Sequence, residues 1–208
     1  MEDVLDVYRR PLDPKRPLVC MDECSRQLIG EIRAPVPAAP GRPERFDFEY
    51  VRNGTCNLFV FSAPLLGWRR VEVTERRTRR DWAEQVRRLV EEDFPEAEKI
   101  VLVMDNLNTH GPASLYERYE PATAKRIFDK LEIHHTPKHG SWLNMAEIEL
   151  SVMNRQGLSD RVEGMEQMKR EASAWARRRN EEVRVIEWRF TTTDARIKLK
   201  RLYPQYLA

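Results

Sequence analysis

The run Ile100-Val101-Leu102-Val103-Met104 carries no polar side chain, and a continuous apolar, partly β-branched run fits a strand covered on both faces. Such a strand demands a layered fold around a sheet. Asp105 ends the run, and the polar cluster Asn106-Leu107-Asn108-Thr109-His110 follows it. Functional groups in open α/β sheets collect where strands end, so Asp105 reads as a carboxylate delivered into a site. Two partners suggest themselves. Asp22 closes a second apolar run, Pro17-Leu18-Val19-Cys20-Met21, and Glu147 lies in Gly140-Ser141-Trp142-Leu143-Asn144-Met145-Ala146-Glu147, which opens a helix.

The remaining pattern supplies the other layers. Residues 27–33 continue or pair with the Asp22 strand, and the proline-rich stretch 34–43 is expected as an extended surface spacer within an insertion near 34–54. Leu58–Phe61 and Trp68–Val73 read as strands joined by a turn over 64–67, which makes an antiparallel meander with the first strand. Trp82, Val86, Leu89, Val90 and Phe94 repeat at helical spacing from Arg79, and Pro95 closes that helix. Short helices with proline in the first turn follow at Pro112–Arg118 and Pro121–Lys130, then a strand at Leu131–His135. Gly140 and Ser141 offer a break and an N-cap for a helix striped by Leu143, Ala146, Leu150 and Met153. Met165, Met168, Ala172, Trp175 and Ala176 mark another helix in a helical region expected over 160–208. The sum is an α/β fold, a mixed sheet flanked by helices, expected as one domain over 1–208. Carboxylates on the first strand, the fourth strand and a later helix form the arrangement of ribonuclease H-like nucleases.

With 208 residues and 41% hydrophobic content, the chain can bury one full core. No segment is long and apolar enough to span a bilayer, and Met1-Glu2-Asp3-Val4 does not open like a signal peptide, so a cytoplasmic location is expected. Cys20, Cys24 and Cys56 are too few and too irregular for a disulfide framework or a four-cysteine zinc site. They read as buried small hydrophobes. The net charge is only +2 although 34% of residues are charged, so any charge that matters must be clustered. Arg69, Arg70, Arg76, Arg77, Arg79, Arg80, Arg87 and Arg88 crowd one segment, and Arg177, Arg178, Arg179, Lys198, Lys200 and Arg201 crowd another. These clusters suit phosphates; the competing reading is solvated helix faces balanced by Glu72, Glu75, Asp81 and Glu84.

Phosphodiester hydrolysis and strand transfer need an activated oxygen nucleophile and a stabilised leaving oxygen, and two metal ions roughly 4 Å apart serve both. An Asp, Asp, Glu set supplies the hard oxygen shell that magnesium prefers. Each carboxylate also has a plainer reading. Asp22 neighbours Glu23, Asp105 can cap a following helix, and Glu147 can be an exposed helix residue. Helix geometry alone does not separate Glu147 from Glu149, which lie about 200° apart around the axis on either flank of the apolar stripe.

Met21-Asp22-Glu23, Met104-Asp105-Asn106-Leu107-Asn108-Thr109-His110 and Pro137-Lys138-His139-Gly140-Ser141-Trp142-Leu143-Asn144-Met145-Ala146-Glu147 together resemble the mariner-like DDE transposases, in particular the bacterial insertion-sequence branch of IS six-thirty type. The resemblance implies a ribonuclease H-like catalytic domain that cleaves DNA at transposon ends and transfers strands into a short target. It implies magnesium or manganese, two ions per site, with Asp22 bridging and Asp105 and Glu147 each completing one ion. In that family the glutamate three residues after a Leu-Asn pair is the ligand, which selects Glu147 over Glu149. Double-stranded DNA and a second copy of the chain, as a dimer, are the implied partners. Asn106, Asn108, His110, Lys138, His139, Arg76, Arg77, Arg79 and Arg80 are the candidate DNA contacts. Because the first catalytic carboxylate stands at position 22, the expectation is a catalytic domain without the N-terminal helix-turn-helix module that reads transposon ends. An upstream helix-turn-helix polypeptide is then a candidate partner, and a split gene, a remnant or a domesticated fragment are the candidate origins.

His134 and His135 are adjacent in a strand and so point to opposite faces, which argues against a shared zinc ion. Two rival functions stay open: a stand-alone ribonuclease H-like nuclease, which cleaves without joining, and a catalytically silent DNA-binding or dimerisation protein derived from a transposase.

Overall fold

The computed structural model describes residues 1–45, 47–158 and 160–203. Its elements are α1 (Glu2–Val7), β1 (Leu18–Glu31), β2 (Tyr50–Ala63), β3 (Trp68–Thr74), α2 (Arg79–Arg88), β4 (Ile100–Met104), α3 (Pro112–Arg118), α4 (Pro121–Asp129), β5 (Leu131–His135), α5 (Met145–Gln156), α6 (Met165–Glu181) and α7 (Thr192–Lys198). The five strands form one sheet in the order β3-β2-β1-β4-β5. β3, β2 and β1 run antiparallel as the expected meander, while β4 and β5 add parallel to β1. This is a ribonuclease H-like mixed sheet flanked by helices.

Side-chain alternation sorts the core into layers. On one face Val19, Met21, Phe59, Phe61, Ile100, Leu102 and Met104 meet Trp82, Val86 and Leu89 of the α2 segment together with Leu115, Ala124 and Ile127 from α3 and α4. On the other face the sheet is covered in two parts. Leu58, Val60, Val71 and Val73 pack on Leu150 and Met153 of α5 and on Met168, Ala172 and Trp175 of α6. Leu18, Cys20, Val101 and Val103 pack on α1, on the start of α5 and on Ala195 of α7. All five residues of β4 are buried, as a strand covered on both faces must be. Each large apolar side chain fully buried here stabilises the fold by about 1.5–3 kcal/mol.

Several boundaries differ from the sequence reading. β1 is one strand of 14 residues, with a register shift between Gln27 and Ile29. The outer part of β2, from Tyr50 to Thr55, is exposed, so β1 and β2 extend past the helical layers as a hairpin arm. The proline-rich stretch is the tip of that arm and not a simple spacer: isolated bridges join Val36 to Arg45 and Ala39 to Arg42. The helix beginning at Arg79 ends as an α-helix at Arg88 and continues as a π turn over Leu89–Asp93. The region 160–208 holds α6 and α7, but 184–190 is not helical, and 204–208 lie outside the described residues. α1 was not anticipated, and α7 was anticipated only as part of that helical region.

A buried ion pair locks the second face. Arg69 of β3 and Glu149 of α5 meet at 2.7 Å with side chains 1% and 0% exposed, and Arg179 approaches the other Glu149 oxygen at 3.3 Å. The Asn180 side chain accepts from the Arg69 N–H and donates to its carbonyl, each at 2.8 Å, so it terminates this edge of β3 as a strand would.

Candidate active site

β1 and β4 pair in parallel through Leu18 with Val101, Val19 with Leu102 and Cys20 with Val103. Carried two residues further, that register sets Asp22 opposite Asp105. Asp22 shares the parity of Cys20, hence the face against which α5 begins, whereas Asp105 lies one residue past β4 and its carboxylate reaches His110, on the Trp82 side. Glu147 stands in the first turn of α5.

One side chain ties the helix to the strand. Asn144, 1% exposed, is the N-cap of α5 in place of the expected Ser141. Its Oδ1 accepts from the Ala146 N–H at 3.1 Å, and its Nδ2 donates to the Met21 carbonyl at 2.8 Å. Ser141 instead begins a single 3₁₀ turn over Ser141–Leu143. The Tyr8 hydroxyl donates to the Leu143 carbonyl at 2.6 Å and fixes that turn from below. In this way the residue before Asp22 and the residue before Glu147 are held by the same amide.

The electrostatics agree with this placement. Burial pushes the Asp22 carboxyl up to about 7; a hydrogen bond from the Glu23 N–H opposes the rise, and the charges of Glu147, Asp105 and Glu23 add to it. The charges of the neighbouring carboxylates thus add to the effect of burial. Beside Asp105 and Glu23 lies a buried imidazole. His110 Nδ1 is 2.6 Å from Asp105 Oδ1, though not aligned as a hydrogen bond, and Nε2 is 3.3 Å from Glu23 Oε2. Burial disfavours charging this imidazole, but Asp105 and Glu23 outweigh it and hold His110 up at about 9. Its ring stacks on Trp82 at 5.7 Å. Glu23, 3% exposed in its side chain, also meets Arg77 at 3.4 Å.

The candidate contact residues divide into two sets. His110 has no exposed side-chain surface, so it has no face to offer a phosphate and lies instead behind Asp105. Asn106, Asn108, Lys138, His139, Arg76, Arg77, Arg79 and Arg80 are all exposed. Arg79 and Arg80 approach Glu117 at 3.6 and 3.9 Å, while Arg76 pairs with no carboxylate among the described residues. Much of the arginine cluster is occupied elsewhere: Arg69 with Glu149, Arg70 with Asp93, Arg87 with Glu84, and Arg88 with Glu72. His134 faces Asp3 and Glu132, whereas His135 faces the Asp105 carbonyl, on opposite sides of β5. Glu23, Asn144 and the Arg69–Glu149 pair were not singled out from the sequence. Glu23 appeared there only as a second acid beside Asp22, Asn144 only in the Leu-Asn pair, and Arg69 and Glu149 only as a cluster arginine and as the alternative to Glu147.

The donor set suits a hard divalent cation. The oxygens are carboxylates, their mutual repulsion is relieved by positive charge, and Asp105 Oδ1 is buried without an aligned donor. Among the described residues no three His, Cys, Asp or Glu side chains close around one point.

A ribonuclease H-like sheet with acidic side chains within β1, just past β4 and in the first turn of α5 defines the class. Residues 17–169 match the family model described as DDE superfamily endonuclease, and the chain belongs to that family. Among solved structures, the Mos1 mariner paired end complex with Mn matches at 18% identity and a TM-score of 0.58, over 88% of this chain and 54% of that one. The Mos1 transposase paired-end complex with left transposon end matches at 17% identity over 88% and 56%, and the Mos1 strand transfer complex at 15% over 88% and 56%, both with TM-scores of 0.58. The chain spans a little over half the length of these transposase chains. No curated protein matches it.

Proposed function

We propose that the chain is the catalytic domain of a mariner-like transposase of IS six-thirty type, which cleaves DNA at transposon ends and transfers the strand to a target. The observation that supports this reading is that Asn144, the cap of the helix that carries Glu147, bonds the residue before Asp22 on β1, while the parallel neighbour β4 runs out at Asp105. Asp22 would be shared between two magnesium or manganese ions, Asp105 and Glu147 each completing one. Bound there, the ions supply an activated oxygen nucleophile and stabilise the leaving oxygen. The chain's own groups orient the site: His110 steadies Asp105 and Glu23, and Asn144 holds Glu147 in place. Arg76, Arg77, Lys138 and His139 provide phosphate contacts that position DNA without reading sequence.

The Mos1 relatives are paired-end and strand-transfer complexes, which supports DNA as substrate and a dimer as the working unit here. A helix-turn-helix unit is the part that would read the end sequence. No helix among the described residues is long and apolar enough to cross a membrane, and a cytoplasmic location goes with the DNA substrate. The test is a strand-transfer assay with labelled ends and manganese. Joined product supports the transposase; cleavage without joining favours the stand-alone nuclease; binding with neither reaction favours the silent DNA-binding protein.

A further inference from the structure

Trp142 is the single exposed tryptophan of the five. Trp82 and Trp175 are buried and Trp68 and Trp188 partly so, whereas Trp142 is 45% exposed. It sits in the 3₁₀ turn whose next residue, Leu143, is fully buried, two positions before the Asn144 cap and five before Glu147. The approach to this turn is shaped by unusual backbone. His139 has φ of 62°, in the left-handed region that non-glycine residues avoid, and a Cβ at Gly140 would lie 2.6 Å from Pro137 Cγ.

The indole is braced by a second ring that carries a lysine above it. Phe190 meets it edge-on at 5.9 Å and 71°, and Lys198 Nζ lies 5.6 Å over the Phe190 ring. Lys138 and His139 are exposed on the preceding loop. An exposed aromatic face five positions before Glu147, with Lys138 exposed on the loop that leads to it, matches one ligand chemistry, a base stacked on the ring with its phosphate on the lysine. A protein partner would call for a broad contiguous apolar patch. Here the neighbouring exposed apolar side chains, Leu107 and Ile148, each belong to a segment that also carries one of the site's acids.

We propose that Trp142 is a stacking platform for one unpaired nucleobase of the DNA strand at the acidic site, an inference that rests on the DNA-cleaving reading above. A base in duplex has both faces covered, so the platform is used only when a nucleotide beside the reacting phosphate leaves the stack. Trp142 would therefore favour frayed or unpaired substrate and help hold the strand in register.

The experiment compares wild type, Trp142→Ala and Trp142→Phe for binding to a fluorescent oligothymidylate and to a blunt, fully paired duplex of the same length. A second probe carries a fluorescent adenine analogue at an unpaired position. Trp142→Ala should weaken oligothymidylate binding by about tenfold or more, leave paired-duplex binding unchanged and abolish quenching of the adenine analogue. Trp142→Phe should restore most of both signals. Equal binding by all three proteins, or equal loss on both probes in Trp142→Ala, overturns the platform while the DNA-cleaving reading stands. Absence of DNA binding by the wild type overturns both.

Discussion

The Asn144 carboxamide donates to the Met21 carbonyl across 123 positions of sequence, and so couples the strand that carries Asp22 to the helix that carries Glu147. The same side chain caps α5. Its two hydrogen bonds are separable by mutation.

Asn144→Ala loses both bonds and should cost about 2–4 kcal/mol, from the missing cap and the stranded carbonyl. Asn144→Ser keeps an acceptor for the cap but is too short to reach Met21. It should recover about 1 kcal/mol of that stability while metal-dependent cleavage stays as low as in Asn144→Ala. Thermal melting and cleavage rate, measured side by side, check this. If serine rescues both, the amide is only a cap.

Glu147 and Glu149 should part company experimentally. Glu149→Ala leaves the Arg69 guanidinium buried without its carboxylate, at a cost of about 3–5 kcal/mol, or on the order of 10 °C in melting temperature. The double variant Arg69→Met with Glu149→Leu should regain most of that loss. Glu147→Gln should melt as the wild type does and be inactive. Equal losses of stability in the two single variants would remove the distinction.

Legibility from sequence follows the same divide between local and distant causes. β4, β5, α3 and α4 announce themselves because apolar runs are bounded by proline or by Asp105, and their observed ends match within a residue. α1 and α7 are six and seven residues long, too short for a helical period to show. The outer half of β1 has few buried positions, so its alternation is lost in the exposed arm. Asp22 and Asp105 were visible as acids closing apolar runs. The pairings of Arg69 with Glu149 and of His110 with Glu23 span 80 and 87 positions and exist only once the sheet brings their segments together.

His110 should act through its neighbours. His110→Phe keeps a ring against Trp82 but leaves Glu23 almost buried with Arg77 as its remaining cation. A loss of about 1–3 kcal/mol is expected, and adding Glu23→Gln should reduce that loss. A double-mutant cycle by chemical denaturation measures the coupling. Additive losses would mean that His110 and Glu23 do not interact.

Acid stability should depend on Glu84. Hydrogen bonding to Arg87 chiefly, opposed by partial burial and helped by Tyr119, lowers its carboxyl to about 2 from 4.5. A depressed folded pKa means that the stabilisation is present above about 4.5 and is lost as pH falls towards 2. After discounting for solvent screening the contribution is about 1 kcal/mol, so Glu84→Gln should melt a few degrees below wild type at pH 7. The gap should shrink near pH 2 to 3. A constant gap across this range would place the effect elsewhere.

The central claim, a metal-dependent acidic site built on β1, the end of β4 and α5, is tested most directly by Asp105→Asn. The buried strand beneath the side chain is untouched, and one of several facing negative charges is removed. Melting temperature without metal should therefore be unchanged or slightly raised, the rise in melting temperature on adding manganese should disappear, and cleavage should fall by orders of magnitude. Cleavage and manganese stabilisation retained at wild-type levels would contradict the claim, and a collapsed melting transition would make Asp105 a structural cap.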